Sequence, residues 1–478
     1  LKMAVATSPA NAEWAERFKA ATVHLALMDV ETISYEESAK RLRTLLRSKL
    51  LLHTDLIDNP ERFFLAHRIL AEHAPALGPG FWIRFTVHYN LCVGTVLGLG
   101  SDEQIAALQD MQNEGLLGCF GLTEKLAGVS SGLVVHTTAH WDPVAEEFTI
   151  NSQNTGASKN WISQGLVADK TIVMASLIIG ERNHGPHAFF IDLRRNGELV
   201  PGVYHGDMGK KTVGNDLDNA WISFNNVKAP KSALLNRYAD IENNKYVQKV
   251  QRVPIFHMIG QRLFTGRVAV AQAALEFRRA LFAMTRKYTD NRECWVPTGT
   301  RPLSAVPQLK ALYEENEANQ RLVDGFVGRC EAELCACLKA GKMPPVGLTD
   351  AIAVCKVKAV EDSIEFVQRL QNEVGSYALM KGSGFEQRDF LTCCKFAEGD
   401  SRVLMQKMSR DRVKQFTSSK GSQGPGSEQE RALCADLAAA LRTGGPGAWD
   451  DNYTKVYALA GLIIERTVDA VMKPQANL

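Results

Sequence analysis

The chain has 478 residues, of which 45% are hydrophobic and 23% charged, with a formal net charge of +2. That length asks for two or three cores rather than one, and the apolar and charged fractions are those of a globular protein. A charge so near zero gives no reason to expect nucleic acid or an anionic membrane surface as partner, and no apolar run approaches the roughly 20 residues that span a bilayer.

The amino terminus, Leu1-Lys-Met3, reads as a trimmed or artificial end and lacks the apolar stretch of a secretory signal. Residues 9 to about 117 read mostly as helix. Trp14, Phe18, Ala21 and Leu25 form one apolar stripe, and Tyr35–Arg47 forms a second helix with a basic face. Ser101 caps a helix opening at Asp102. At Gly118 the texture changes to short β-branched and aromatic runs broken by Gly, Asn and Asp: 147–150, 171–179, 187–192 and 219–224. Helical texture is expected again from about Asp240, with helices over 255–288, 308–340, 349–371 and 457–472. Breaks separate them at 294–306, 418–427 and 444–447. The fold class is therefore α+β multidomain: an N-terminal helical domain over 1–117, a central antiparallel β domain over 118–235 and a C-terminal helical bundle over 236–478.

The ten cysteines occur singly or in near pairs without the two-residue spacer of a zinc or redox pair. They read as reduced thiols, and no His, Cys, Asp and Glu spacing suggests a metal site.

Six short segments stand out, five of them with side chains that could carry chemistry. Leu122-Thr-Glu124 with Gly128 places a hydroxyl and backbone amides at the mouth of the β region, followed by Val129 and Ser130. Taken alone it is a polar turn between helix and strand. Lys159-Asn-Trp-Ile-Ser163 puts an aromatic face and a hydroxyl on one side of a strand, or is merely a half-buried strand with a Trp. Gly214-Asn-Asp-Leu-Asp-Asn219 leads into the closing strand of the β domain and names no chemistry. Arg292, Trp295 and Gln308 flank the break after the long helix, where Arg292 by itself is a surface charge at a helix end. Gly375 and Tyr377 follow another helix, and Glu398-Gly399 precedes a third. Read alone, Glu398 marks a helix N-terminus; Glu373 and Glu386 are its rivals as a functional carboxylate.

In this order and at these spacings, from about residue 60 to 415, the segments resemble the acyl-CoA dehydrogenase and acyl-CoA oxidase superfamily of flavoproteins. The resemblance implies FAD as cofactor and a fatty acyl-CoA as substrate. Leu122 and Thr123 would meet the flavin pyrimidine, Trp161 the isoalloxazine, and Ser163 its N5. Gly128 is the family's turn glycine. Arg292, Trp295, Gln308 and Gly375 would serve FAD shared between subunits, hence a homodimer or homotetramer. Val129, Ser130 and Gly399 would lie along the substrate. Glu398 would remove the α proton while the β hydride passes to N5, with the thioester oxygen stabilised as charge develops. The match departs from the family in three places. Glu373-Val374 stands where paired glycines belong, Ala397 is inserted before Glu398, and the Ser near the acyl group is off by one.

The resemblance leaves the electron acceptor open, either an electron-transfer flavoprotein or molecular oxygen. Trp161-Ile-Ser163 and the lack of a full second helical C-terminal domain point to a dehydrogenase. The chain length, the Asp218-Asn219 pair and a carboxyl-terminal Ala476-Asn-Leu478, similar to a peroxisomal address, point to an oxidase. The location expected is thus a peroxisome-type organelle or the mitochondrion. An inactive relative serving as a structural or binding protein, and another flavin oxidase on the same fold, stay open as alternatives.

Overall fold

The computed structural model describes residues 8–26, 33–73, 79–128, 134–250, 261–418 and 426–472. Contacts group these residues into two units. One is Thr7–Ala269 with Cys335–Met343; the other is Val270–Leu334 and the chain from Pro344 onward. The calls on residues 255–260, on most of the 418–427 loop and on the terminal tripeptide fall outside the described residues, as does the side chain of Leu25.

The first unit begins with helices Pro9–Ala26, Tyr35–Ser48, Asp55–Asp58, Pro60–Glu72, Pro79–Thr86, Gly94–Leu99 and Asp102–Glu114, with a π-helical segment at Val87–Val93. Their boundaries follow local chemistry. The Ser34 side chain accepts from the Glu37 amide at the start of the Tyr35 helix. Ser101 and Gln104 form a reciprocal capping box, and Gly115 closes that helix in the left-handed conformation at φ 67°. Trp14 and Phe18 are buried and stacked, as their spacing predicts. His88 is wholly buried, which drives its pKa down to about 3. It is therefore neutral, and its Nδ1 accepts from the Gly118 amide at 3.1 Å, tying the helices to the first strand.

The strands are β1 Gly118–Gly121, β2 Thr137–Asp142, β3 Glu147–Ser152, β4 Lys159–Ser163, β5 Lys170–Ile179, β6 Arg182–Asp192, the short β7 Arg194–Arg195 and β8 Glu198–Leu199, β9 Val203–Asp207, β10 Asn219–Phe224, β11 Val227–Pro230, β12 Ala239–Glu242 and β13 Lys245–Gln248. One sheet runs β1-β5-β2-β3-β11 with β6 also on β5; a second runs β4-β10-β9. Their inward residues, among them Phe148, Ile150, Val173, Phe189, Ile162, Ile222 and Phe224, form a single apolar core.

Two features differ from expectation. The larger sheet is mixed: β1 and β2 both run parallel to β5, the other pairings being antiparallel. Helix does not resume near Asp240, because β12 and β13 form a hairpin there. Its turn residues, Asn243 and Asn244, have φ of 50° and 62°, the backbone that favours a two-residue hairpin with Asn. Among the described residues, helix is next met from Gln261.

The second unit is helical. Its helices are the later part of Gln261–Asn291, then Pro307–Lys339, Val346–Val374, Asp389–Phe396, Ser401–Ser418, Glu428–Thr443, Ala448–Asp451 and Tyr453–Met472. The 294–306 break is partly a hairpin, β14 Glu293–Val296 against β15 Gly299–Pro302. Polar ties specify the packing. Buried Arg278 lies 4.1 Å from the Phe366 ring centroid, and its Nε donates to Asn316 Oδ1 at 2.7 Å. Buried Glu430 accepts from Arg412 at 2.6 Å and from Arg466 at 3.0 Å, joining three helices. No helix among the described residues is long and apolar enough to cross a membrane.

Candidate functional site

In the first unit the Leu122–Glu124 segment lies against β4. The Asn160 amide donates to the Thr123 carbonyl at 2.8 Å, and the Lys159 ammonium reaches the Leu122 carbonyl at 3.4 Å. A buried ion pair locks the two: Lys159 Nζ is 2.8 Å from Glu124 Oε1 and also donates to the Met174 carbonyl at 2.7 Å. Glu124 further accepts from the amides of His136 and Thr137. Burial alone would raise the Glu124 carboxyl, but the Lys159 charge and these hydrogen bonds hold it below its ordinary value. Burial pulls Lys159 down to about 8 in spite of Glu124. Leu122, Thr123, Trp161 and Ser163 are thereby gathered on one rigid piece of backbone. Neither Glu124 nor Lys159 was singled out for this role; a Glu and a Lys beside two segments of interest were the available signal.

Trp161 sits in a β-bulge. Ala220 opposes Ile162 and Ile222 opposes Lys159, so Asn160 and Trp161 together face Trp221. Trp161 has φ 58°, which is unusual for a bulky residue, and its side chain is 57% exposed. Its amide donates to the Met208 sulfur at 3.1 Å. A strained residue holding a large ring out of the sheet is a feature concentrated at binding sites. Ile162 is buried while Trp161 and Ser163 on either side are less so, as the strand reading requires.

Ser163 Oγ accepts from Asn219 Nδ2 at 3.1 Å. Asp218, beside it, is buried; its carboxylate accepts from Arg84 at 3.1 Å and from the Leu166 amide at 2.7 Å. The segment Asp218-Asn219, structural in the sequence reading, thus fixes the end of β4. Gly128 is exposed, and an added Cβ there would meet nothing within 4 Å among the described residues. Val129 and Ser130 lie outside the described residues.

In the second unit Arg292 follows the long helix, Trp295 is on β14 and Gln308 is in the first turn of Pro307–Lys339. All three are exposed, Trp295 at 75%. The Arg292 guanidinium donates to the Glu293 carbonyl at 2.8 Å. Gly375 ends the Val346–Val374 helix at φ 63° and ψ −141°, a conformation that suits glycine, with open space where a Cβ would stand. Tyr377, two residues on, stacks on Tyr288, four residues before Arg292. The stack brings the Arg292 and Gly375 segments together.

Glu398 lies in the turn between Asp389–Phe396 and Ser401–Ser418, and only 9% of its surface is exposed. Its rivals are exposed: Glu373 on the surface, and Glu386 accepting from the Gly382 amide at 2.7 Å. Glu398 and Gly399 have consecutive left-handed φ of 57° and 96°. Lys356, fully buried on the Val346–Val374 helix, clamps the turn. Its ammonium donates to the Lys395 carbonyl at 2.6 Å, the Gly399 carbonyl at 2.9 Å and Ser401 Oγ at 3.1 Å. Sequence reasoning missed Lys356, though a lysine inside the apolar run Val354-Cys-Lys-Val357 is itself a signal of a buried, partnered cation.

No family model matches the chain. It is 28% identical over 346 residues to human peroxisomal acyl-coenzyme A oxidase 3, an alignment covering 68% of this chain and 49% of that protein. The structure of acyl-CoA oxidase-2 from Caenorhabditis elegans, bound with FAD, ascaroside-CoA and ATP, superimposes with a TM-score of 0.78 at 19% identity, covering 96% of this chain and 76% of that one. Butyryl-CoA dehydrogenase from Megasphaera elsdenii superimposes with a TM-score of 0.63 at 20% identity, covering 82% of this chain and 96% of that one. The chain spans about half the length of the curated relatives it matches. Its sequence relatives are acyl-CoA oxidases, and its helix–sheet–helix fold is the one seen in acyl-CoA oxidases and in butyryl-CoA dehydrogenase.

Proposed function

We propose that the protein is an oxidoreductase acting on the CH–CH bond of a fatty acyl-CoA, forming the trans-2-enoyl-CoA in fatty acid β-oxidation. The observation that carries the proposal is Glu398, a carboxylate buried at a left-handed Glu-Gly turn while its rivals are exposed. The residues present also suit FAD: a projecting Trp161, the Ser163 hydroxyl on the same strand, and the open Gly375 turn, whose segment the Tyr288–Tyr377 stack joins to that of Arg292. FAD, when bound, supplies the hydride acceptor for the substrate β carbon.

The chain's own groups have separate tasks. Glu398 takes the α proton as general base. Gly399 leaves room for the thioester beside the turn, and the Glu398 amide is the donor for the developing oxyanion. With FAD bound, the Leu122 and Thr123 backbone and hydroxyl groups, the Trp161 ring and the Ser163 hydroxyl would hold the isoalloxazine. Arg292, Trp295, Gln308 and Gly375 would hold the pyrophosphate end, in a homodimer or larger oligomer. Molecular oxygen is the electron acceptor, a reading supported by relatives named acyl-CoA oxidases, and the location is peroxisomal, as in the name of the human relative.

Purified protein tests this directly. A yellow preparation that bleaches with acyl-CoA without air, and forms peroxide with air, is the expected result. Bleaching without peroxide transfers the protein to the dehydrogenase branch, with an electron-transfer flavoprotein as acceptor. A colourless protein that takes up no FAD refutes the enzymatic reading and leaves a structural relative.

A further inference from the structure

We propose that Asn219 is a positioning residue that keeps the Ser163 hydroxyl a hydrogen-bond donor toward the flavin. The inference rests on the reading that Ser163 faces the cofactor. Asn219 opposes Ser163 in the β10–β4 register, and its Nδ2 is 3.1 Å from Ser163 Oγ. A hydroxyl has one proton and two lone pairs, whereas a carboxamide nitrogen can only donate. The contact therefore fills a lone pair of Ser163 and leaves its proton for another acceptor. Asn219 is 6% exposed, and its Oδ1 has no hydrogen-bond partner among the described residues. The side chain thus sets an open acceptor beside an open donor, a combination that an isoalloxazine edge, with both ring nitrogens and an imide N–H, can meet.

The backbone around Asn219 is fixed independently of that contact. Asp218 binds Arg84 and the Leu166 amide through its carboxylate, and its carbonyl accepts from the Gln164 amide at 3.0 Å. Asp218 therefore holds the strand end, and the neighbouring amide is left to orient one hydroxyl. A carboxylate at 219 would reverse that polarity: it can only accept, so it would draw the Ser163 proton to itself.

The test compares Ser163→Ala, Asn219→Asp and the double variant with wild type, each loaded with FAD. The readouts are the flavin midpoint potential without substrate, the visible spectrum, and the rate of anaerobic bleaching by acyl-CoA. Asn219→Asp is expected to lower the potential by more than Ser163→Ala does, because its charge also disfavours the reduced flavin, to slow bleaching about tenfold, and to leave the double variant no lower than Asn219→Asp alone. Should the carboxylate prevent folding, Asn219→Ala carries the test, with a potential between wild type and Ser163→Ala. A yellow Asn219 variant with wild-type potential, or losses that add in the double variant, overturns the role of Asn219 and leaves the flavin reading intact. A wild type that never binds FAD sinks both.

Discussion

The rings of Tyr288 and Tyr377 lie face to face, with centroids 3.6 Å apart and planes 4° from parallel. This contact joins the end of one long helix to the segment after another, and each segment carries a residue proposed for the FAD pyrophosphate. Tyr377→Ala is expected to cost about 1 kcal/mol of stability and to weaken FAD binding about fivefold, whereas Tyr377→Phe keeps both. Fluorescence titration of the apoprotein with FAD measures it; equal affinity in the alanine variant would detach the stack from the cofactor.

Glu398→Gln should keep the yellow colour and the fold and lose anaerobic bleaching by about a thousandfold, the scale of a lost general base. Stopped-flow absorbance at the flavin band is the measurement. Bleaching at the wild-type rate would show that the base lies elsewhere.

Lys356→Met removes a donor shared by the Lys395 and Gly399 carbonyls and the Ser401 hydroxyl. Leaving those acceptors buried should cost about 3 kcal/mol of unfolding free energy, read from the denaturant midpoint. Bleaching should slow more than FAD binding weakens, because the turn that loosens carries Glu398. An unchanged midpoint would contradict the clamp.

Glu124→Gln strands the buried Lys159 ammonium and should destabilise the protein by about 3 kcal/mol at neutral pH. The Glu124 carboxyl titrates below its ordinary 4.5 in the folded chain, so its contribution is complete above that value and is lost as pH falls through the lower, folded one. The melting-temperature gap between wild type and variant should therefore narrow as pH drops below 4.5. No matching alkaline loss is expected. Lys159, lowered to about 8, releases its proton more easily folded than unfolded, so raising the pH toward 10.5 favours the fold. A gap independent of pH would remove Glu124 from the pair's energetics.

Much of the architecture is legible where one residue states a local rule. Ser34 and Ser101 mark helix starts, and the alternation in Asn219–Phe224 marks a strand with the bounds observed. What escapes is information held jointly by distant residues. The parallel placement of β1 and β2 on β5 depends on crossovers that no local pattern encodes. The β12–β13 hairpin was legible in Asn243-Asn244 but looked polar and helical in a long helical stretch. For the site, Glu398 and Trp161 could be picked out from order and residue type. Their left-handed backbones could not, because neither is a glycine. Lys356 and Asn219 matter through partners some tens of positions away in the chain, beyond the reach of a local motif.

The backbone at Glu398 also limits which replacements position 398 can accept. A residue with φ 57°, followed by a glycine at 96°, sits where β-branched side chains clash and where Gly, Asn and Asp are comfortable. A saturation library should accordingly yield folded protein most readily with those three and least readily with Val, Ile or Thr, whatever their charge. Tolerance there would follow chain geometry, while turnover would follow chemistry, and the two rankings should come apart at this one codon.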